Sequence, residues 1–449
     1  MAGSPTAQGP NSSWSLPLVV IDKQDGCRPH VVVQRAGDIE ADCRNILLHH
    51  WGATAPQCVH GDIGSRCSTR IWTAVLEDIK RLQRSMHSRD SISPEKFAEA
   101  VFNIFREQKF HGLKAWCFKH KKHCPVGPSR RNAGESAEAR AAGAAEDACR
   151  IRVNVAGWSC IDWSGMGSKK GWYGLSTPPF MQWLSERLAY EEDVIIGENT
   201  NQFDGQTLAK LVQEYYNMYV LELSPTLLGE PCERQRLYFL LLHKRKRRFR
   251  HQWVAEDVQS RFEAVFRKKV VMSPHLKFRA PEAAVNAYIE KLAEKQHLPS
   301  KTRSGKSWSC YQSMSAAMRD KIAEHTVAME NKISQEPDKS NPNMWVTNLT
   351  QSADFMPPNF AHVPALLQRS TLWLFGHRRV ALPLEHLEVQ ALNVFGNGSS
   401  VYRCEFADEL AKLPESRIKS IAGNAMNIHV CASVLAFVLA ETEAMPSQT

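Results

Sequence analysis

The sequence has no apolar run long enough to cross a bilayer and no cysteine spacing typical of a disulfide framework. The longest apolar stretch near the C-terminus, residues 428–440, contains His429 and is too short for a membrane span. The 12 Cys are scattered along 449 residues, which favours free thiols in a reducing compartment. The N-terminal segment from Met1 to Ser15 has no charged part followed by an apolar one, so it predicts no signal peptide. We therefore expect an intracellular protein with no membrane partner.

The chain also lacks an extreme charge of either sign. Its net charge is +9 and its pI about 8.9, and 43% of its residues are apolar, which is ordinary for a globular protein. A moderate basic excess permits a polyanionic partner without requiring one. The length is sufficient for two or three domains.

Strands alternate with helices in much of the chain, which predicts an α/β fold with a mostly parallel sheet. The predicted strands are Leu18–Ile21, His30–Gln34, Ile151–Ala156, Asp193–Gly197, Tyr219–Leu223 and Leu237–Leu242. The predicted helices are Asp38–Trp51, Arg70–Ser85, Pro94–Gln108, Thr177–Ala189, Gln206–Met218, Pro383–Leu392 and Asn427–Ala440. The predicted organisation is a disordered segment 1–17, an α/β domain 18–243 with an insertion and linker at about 64–150, a basic second domain 244–375, and a returning segment 376–449.

One cysteine stands in an unusual setting, directly after a predicted strand and in a glycine-containing loop. The run from Gly157 to Ser164 contains Cys160, and the C-terminal ends of strands are where α/β sheets place ligands. A lone cysteine is more often structural than catalytic, so the neighbouring motifs must show whether Cys160 is a nucleophile. Glu198 directly follows the next predicted strand, although Asn199 after it equally suits a helix N-cap.

Two arginines precede the last predicted strand of the α/β domain. Arg234 and Arg236 follow Gly229 and Pro231, and their spacing points both side chains to one side of an extended segment. The alternative is a solvated basic turn. Two later motifs contain Arg379, Pro383, Glu385 and Gln390, and then Gly423 and Asn424. Alone, these predict a helix begun by proline and a turn before a helix.

Taken in order, the five motifs resemble those of the cytosine-C5 DNA methyltransferases. The resemblance covers residues 31–63, 151–242 and 379–440. It implies an S-adenosylmethionine-dependent, Rossmann-like methyltransferase domain, with residues 244–375 as a smaller target-recognition domain. It also implies that Cys160 attacks C6 of a flipped cytosine, that Glu198 stabilises the ring, and that Arg234 and Arg236 position the base. The sequence departs from the family where Ser159, Cys232 and Asn427 replace a proline, a glutamine and a proline.

The same resemblance implies a site for S-adenosylmethionine formed by Asp38, Asp62, Gly157 and Asn424. The family's glycine-rich loop after the first strand is not recognisable, because Asp22 is followed by a segment with one glycine. The segment between Asp22 and Asp38 is also too short to hold the family's first helix. Either the site has degenerated or the chain continues upstream of Met1, which bears on the activity more than on the fold.

Four potential metal ligands stand close together in the insertion: Cys117, His120, His123 and Cys124. Their spacing is too tight for a standard zinc site, and three lysines are interleaved with them. We therefore predict a basic surface loop and no metal, with zinc binding as the alternative. A second basic run, residues 243–250, predicts contact with phosphates or a nuclear-import signal, with a solvated loop as the alternative.

These motifs predict a DNA cytosine-5 methyltransferase, located in the nucleus if the source is eukaryotic and otherwise in the cytoplasm. Two alternatives remain open at this point. One is methylation of cytosine in RNA, which the same chemistry suits. The other is a nucleic-acid-binding protein that keeps the fold without catalysis.

Overall fold

The computed structural model describes residues 15–22, 30–38, 40–49, 55–66, 69–85, 92–107, 113–127, 150–269, 271–299, 308–396 and 403–446. The chain forms two compact units. The first comprises residues 1–222, 236–260 and 435–449, and the second comprises residues 223–235 and 261–434.

The first unit is built around a nine-stranded sheet with helices between its strands. Its strands are Ser15–Asp22 (β1), His30–Gly37 (β2), Cys58–His60 (β3), Lys114–Cys117 (β4), Lys122–Pro125 (β5), Arg150–Gly157 (β6), Val194–Thr200 (β7), Tyr216–Leu223 (β8) and Arg236–His243 (β9). Its helices are Ala41–His49 (α1), Thr69–Ser85 (α2), Pro94–Arg106 (α3), Thr177–Tyr190 (α4) and Gly205–Val212 (α5). The strand order is β5-β4-β3-β2-β1-β6-β7-β9-β8.

The strand directions bring several predicted site segments to one edge of this sheet. β2 and β3 are parallel, and so are β6 and β7. β1 runs antiparallel to both β2 and β6, so those two strands share one direction. β9 runs antiparallel to β7. The carboxyl ends of β2, β3, β6 and β7 and the start of β9 therefore lie at the same edge.

The prediction of a mostly parallel sheet holds for only part of this fold. β1·β2, β1·β6, β3·β4, β4·β5 and β7·β9 are all antiparallel. The antiparallel β1 has a simple cause in the sequence, since the link between Asp22 and His30 is very short. A parallel connection needs a crossover of roughly a dozen residues or more, whereas a short link allows only a hairpin.

Two other expectations change at the level of elements, and the insertion proves to be part of the core. β1 begins at Ser15, inside the segment predicted to be disordered, and residues 1–14 lie outside the described part of the chain. The helix predicted to reach Met218 ends at Val212, and β8 starts at Tyr216. The insertion contributes to the core, because Phe97, Val101 and Phe105 of α3 are fully buried and α3 packs against α4. Its linker, residues 128–149, lies outside the described part.

The second unit contains a four-stranded antiparallel sheet of order β12-β11-β13-β14. Its elements are α7 (Glu282–Lys295), α8 (Ala316–Gln335), β11 (Trp345–Asn348), β12 (Asn359–Phe360), β13 (Leu372–Leu374), β14 (Arg379–Val380), α9 (Pro383–Val389), α10 (Ala407–Ala411) and α11 (Glu415–Asn424). The boundary between the units falls within α6 (Ala255–Phe266) and within α12 (Ile428–Glu441). β10 (Arg247–Phe249) and β15 (Thr442–Ala444) belong to the first unit. By contacts, residues 376–434 group with this unit, whereas the sequence placed 376–449 with the α/β domain.

One stretch, residues 415–441, is long and apolar enough to cross a membrane by length and composition. The backbone breaks it into two helices, because Ala425 is extended with φ −65° and ψ 142°. The longer of them, α12, has 14 residues and spans about 21 Å, short of the ~30 Å hydrocarbon core of a bilayer.

Candidate active site

Cys160 lies just beyond β6, in a loop flanked by the buried Trp158 and the half-buried Trp163. The Cys160 carbonyl accepts hydrogen bonds from Trp163 N at 3.0 Å and Ser164 N at 2.8 Å, which closes a turn at the cysteine. The Trp158 and Trp163 rings lie 5.3 and 4.7 Å from the Phe203 ring, within one aromatic cluster. The thiol between them is half-buried and outside any disulfide. The loop therefore presents Cys160 from a rigid base.

A buried carboxylate fixes the rest of this loop. Asp162 accepts hydrogen bonds from Ser176 N at 2.9 Å and Ser176 Oγ at 2.6 Å, and also from Ser168 Oγ. Gly174 lets the chain pass close by, because a Cβ there would lie 1.9 Å from Asp162 Cγ. Asp162 thus ties both ends of the segment from 162 to 176 together, and the sequence motifs did not single it out.

Glu198 lies beside the Cys160 loop through the pairing of β6 with β7. Gly157 is the Cα partner of Glu198, and Trp158 N donates to Glu198 O at 3.1 Å. This contact requires Gly197, because a Cβ there would lie 2.1 Å from Trp158 Cζ2. The structure therefore places Glu198 beside the start of the Cys160 loop, at the same sheet edge.

Arg236 adds a positive charge at the same place. As the first residue of β9 it is opposite Thr200, and its Nε lies 3.1 Å from Glu198 Oε1. The distance makes an ion pair, but the orientation does not make a hydrogen bond, so buried Oε1 has no hydrogen-bond partner among the described residues. A buried carboxylate oxygen in this state can accept from an amine that enters the site.

Arg234 and Asn424 belong to the second unit and lie near one another there. The Arg234 guanidinium is buried and donates to Leu366 O at 3.3 Å and Gly423 O at 3.1 Å. The neighbouring Asn424 Oδ1 accepts from Gln368 Nε2 at 3.0 Å. Arg234 thus anchors the C-terminal end of α11, which carries Asn424, a contact that sequence spacing did not reveal.

The motif from Arg379 to Gln390 is built into the interior of the second unit. Arg379 makes two hydrogen bonds of 2.7 Å to the Glu385 carboxylate, and both residues are buried. Glu385 also accepts from Leu382 N at 2.8 Å, which caps α9, and Gln390 Nε2 donates to Ala422 O at 2.9 Å. Paired in this way, these side chains hold α9 in place.

Three of the predicted cofactor residues, Asp38, Asp62 and Gly157, lie at the same sheet edge as Cys160, but they do not fit S-adenosylmethionine well. Asp38 follows β2, is only 2% exposed, and its Oδ1 accepts from Glu40 N at 2.7 Å at the start of α1. Asp62 follows β3 and accepts from Gly64 N at 3.0 Å. A ribose diol needs an accessible carboxylate, and antiparallel β1 enters the sheet at this edge where the family's strand would leave it. Among the described residues, nothing replaces the missing glycine loop.

The predicted metal-ligand set in the insertion is not the set that the fold brings together. β4 and β5 form a hairpin in which the His123 ring lies against Trp116, with centroids 5.7 Å apart. Cys117, His120 and Cys124 instead converge with Cys58 of β3. The segment is therefore a β-hairpin whose two cysteines and His120 meet a fourth potential ligand from a distant strand, an arrangement that the spacing within the segment did not indicate.

The basic run at residues 243–250 has many partners within the first unit. Lys244 donates to Gln213 O, Arg245 to Glu191 at 2.9 Å, and Arg248 to Glu443 at 2.9 Å. Arg247 is buried against Thr442. At the start of the run, burial and then Lys246 lower the pKa of His243 to about 4. Contact with phosphate remains a prediction for this segment.

Comparison with known proteins yields structural neighbours only. No family model matches the chain, and no curated protein matches it. The Dnmt2 methyltransferase of S. pombe is 13% identical, with a TM-score of 0.34 over 64% of this chain and 76% of that one. The methyltransferase EhMeth of Entamoeba histolytica is 11% identical, with a TM-score of 0.34 over 70% and 82%. A Spodoptera frugiperda DNMT2 mutant is 12% identical, with a TM-score of 0.30 over 69% and 84%. At these scores the likeness carries neither fold nor function to this chain.

Proposed function

We propose that the chain is a methyltransferase that modifies C5 of cytosine in DNA through a covalent adduct on Cys160. The observation that carries the proposal is the Glu198 carboxylate, which is buried and paired with Arg236 at 3.1 Å, and whose Oε1 makes no hydrogen bond within the described residues. It stands beside a cysteine loop that Asp162 and two tryptophans make rigid. A nucleophile and a pre-oriented carboxyl at one sheet edge are the two groups that addition to a pyrimidine needs.

In the proposed reaction, the Cys160 thiolate forms a bond to C6 of a cytosine that has left the base stack. The electron pair of the C5–C6 double bond moves toward C4 and N3, and N3 takes a proton that Glu198 relays from solvent. Glu198 also accepts from the exocyclic amine, which selects cytosine over thymine. Arg236 keeps the carboxyl in its orientation. C5 thereby becomes nucleophilic and takes the incoming group. Loss of the original C5 proton to a base, expulsion of the Cys160 thiolate from C6 and return of the N3 proton to Glu198 then restore the aromatic ring.

The methyl donor in this chemistry is S-adenosylmethionine. The described residues around Asp38 and Asp62 fit it poorly. The same misfit favours a second candidate function, a nucleic-acid-binding protein that retains the base-binding half of the site. Calorimetric titration of the full chain with S-adenosylmethionine distinguishes the two, since stoichiometric binding excludes the second.

The attack on C6 can be tested without any donor. After Cys160 adds, C5 accepts a proton from water, and reversal releases the original C5 hydrogen. We expect duplex DNA with tritium at C5 of cytosine to release label into water with the wild-type chain and with Cys431→Ser, a control at another half-buried cysteine. Cys160→Ser should release none. Release from structured RNA alone would assign RNA as the substrate, and no release from either would refute the covalent mechanism.

A further inference from the structure

Four side chains outside the candidate active site converge at the outer part of the nine-stranded sheet. Cys58 begins β3, Cys117 ends β4, His120 lies in the hairpin turn, and Cys124 lies in β5. Their ligand atoms all lie within 4.8 Å of one another. Cys117 and Cys124 are buried, Cys58 is half-buried, and all three cysteines are outside disulfides.

We propose that these four residues bind one structural zinc ion, with three thiolates and the Nδ1 of His120 as ligands. His120 Nδ1 lies 3.6 Å from Cys58 Sγ, 3.5 Å from Cys117 Sγ and 3.4 Å from Cys124 Sγ. Zinc bound tetrahedrally at about 2.3 Å from sulfur and about 2.0 Å from nitrogen sets each nitrogen–sulfur distance at about 3.5 Å. One imidazole nitrogen can make only one hydrogen bond. Hydrogen bonding therefore does not account for three sulfur atoms at nearly equal distances from His120 Nδ1, whereas a shared metal ion does.

The hairpin backbone is shaped for this arrangement. Lys121, at the turn, has φ 51°, a left-handed conformation that reverses the chain and returns Cys124 toward Cys117. The N–H groups of Val59, Lys119 and His120 donate to Cys117 Sγ. Such donors orient a thiolate and stabilise its charge when it is a metal ligand.

The donor set selects the ion and explains the local lysines. Three soft thiolates and an imidazole in tetrahedral geometry favour zinc over magnesium or calcium, and four protein ligands leave no open position for catalysis. Zinc with three thiolates carries one net negative charge. Lys119, Lys121 and Lys122 in the turn offset that charge, and Lys119 Nζ also donates to Pro56 O at 2.6 Å.

The zinc site is connected to the sheet edge that carries Asp38. Phe118, next to Cys117, donates its N–H to Val59 O at 2.8 Å. The Arg44 guanidinium lies 4.6 Å from the centre of the Phe118 ring and donates to Asp38 O at 2.9 Å. Zinc would therefore fasten the β4–β5 hairpin to β3 and support the loop after β2.

The test is the zinc content of the full chain, purified with reductant and without chelator. We expect about one zinc ion per chain for the wild type, and at least about a fivefold lower content for Cys58→Ser and Cys117→Ser. The matched control is His123→Ala, in the same hairpin but outside the ligand set, which should retain zinc. His120→Cys should also retain it, because a fourth thiolate replaces the imidazole.

Cobalt substitution and hydrogen exchange add readouts that do not depend on activity. Cobalt should give the thiolate charge-transfer absorption of a tetrahedral site, and zinc removal should speed amide exchange in β4 and β5 by about tenfold or more. Any one of three results would overturn the proposal. The wild-type chain could take up no zinc even when zinc is added, or Cys58→Ser could retain zinc. The third is a disulfide between two of the three cysteines that persists when the protein is kept in reductant.

Discussion

Glu198 and Arg236 face each other across two adjacent strands, with Arg236 Nε 3.1 Å from Glu198 Oε1. The pair forms because β7 and β9 are antiparallel, so the end of one strand meets the start of the other. Glu198 is 7% exposed, and the positive charge beside it compensates for burial. The carboxylate is thereby held in one orientation at the edge where Cys160 lies.

Replacing either member of this pair should lower the rate of C5 exchange and leave nucleic-acid binding largely unchanged. Glu198→Gln removes the acid and should reduce exchange by about 10²–10⁴-fold. Arg236→Met keeps the Glu198 carboxyl but removes the charge that orients it, and should reduce the rate of C5 exchange by up to about 10²-fold. The measurement is tritium release, with binding of the same DNA followed separately. Equal losses of binding and exchange in both variants would argue for a purely structural ion pair.

Gly197 has a steric role that stability measurements can isolate. A Cβ at this position would lie 2.1 and 2.2 Å from two atoms of the buried Trp158 ring, so Gly197→Ala must displace the ring. We expect Gly197→Ala to lower the free energy of unfolding, measured by urea denaturation, by about 1–3 kcal/mol. Gly165→Ala is the control, because its nearest neighbour would be Gln202 Nε2 at 3.9 Å. Similar losses in both variants would contradict this account.

Much of the candidate site was predictable because its parts are local. Cys160 follows one buried apolar strand and Glu198 lies near the end of another, and short apolar runs of this kind are visible in the sequence. The short segment between Asp22 and Asp38 already excluded the family's first helix. The short link from Asp22 to His30 also explains why β1 became antiparallel, a consequence that the sequence-based prediction of a parallel sheet did not include.

What could not be predicted depends on pairing between distant segments. Cys58 lies far from Cys117 along the chain, and only the pairing of β3 with β4 brings them together. Without Cys58, the remaining ligands were too closely spaced for zinc, and a basic loop was the natural prediction. The contact of Arg234 with Gly423 has the same origin, since it joins two segments that are distant in sequence.

The Arg379–Glu385 pair should behave as a buried ion pair that stabilises the second unit only when both members are present. Glu385→Gln leaves the Arg379 charge buried without compensation, and we expect a loss of about 3–5 kcal/mol in urea unfolding. The double variant Arg379→Met/Glu385→Leu should recover a large part of that loss. The exposed pair Arg248–Glu443 is the comparison, and Glu443→Gln there should cost less than about 1 kcal/mol. A double variant no more stable than Glu385→Gln would contradict the assignment.

His386 should make the stability of the second unit depend on pH. It is fully buried in α9, neither ring nitrogen has a hydrogen-bond partner among the described residues, and burial followed by the Lys419 charge lowers its pKa to about 3. The unfolded chain takes up a proton at His386 as the pH falls below about 6.5, while the folded chain stays neutral until about 3. The free energy of unfolding therefore decreases as the pH falls through this window.

Between pH 7 and about 5.5 this effect amounts to about 1 kcal/mol, in a range where most carboxyl groups remain ionised. His386→Phe removes the titrating group and keeps an aromatic ring in the same space, so its stability should change less than that of the wild type over these pH values. His251→Phe, at an exposed position, should leave the pH dependence of the wild type intact. Urea denaturation at both pH values measures the difference. The same pH dependence in His386→Phe and in the wild type would contradict this account. It would mean that His386 titrates near its ordinary pKa in the folded chain despite its burial.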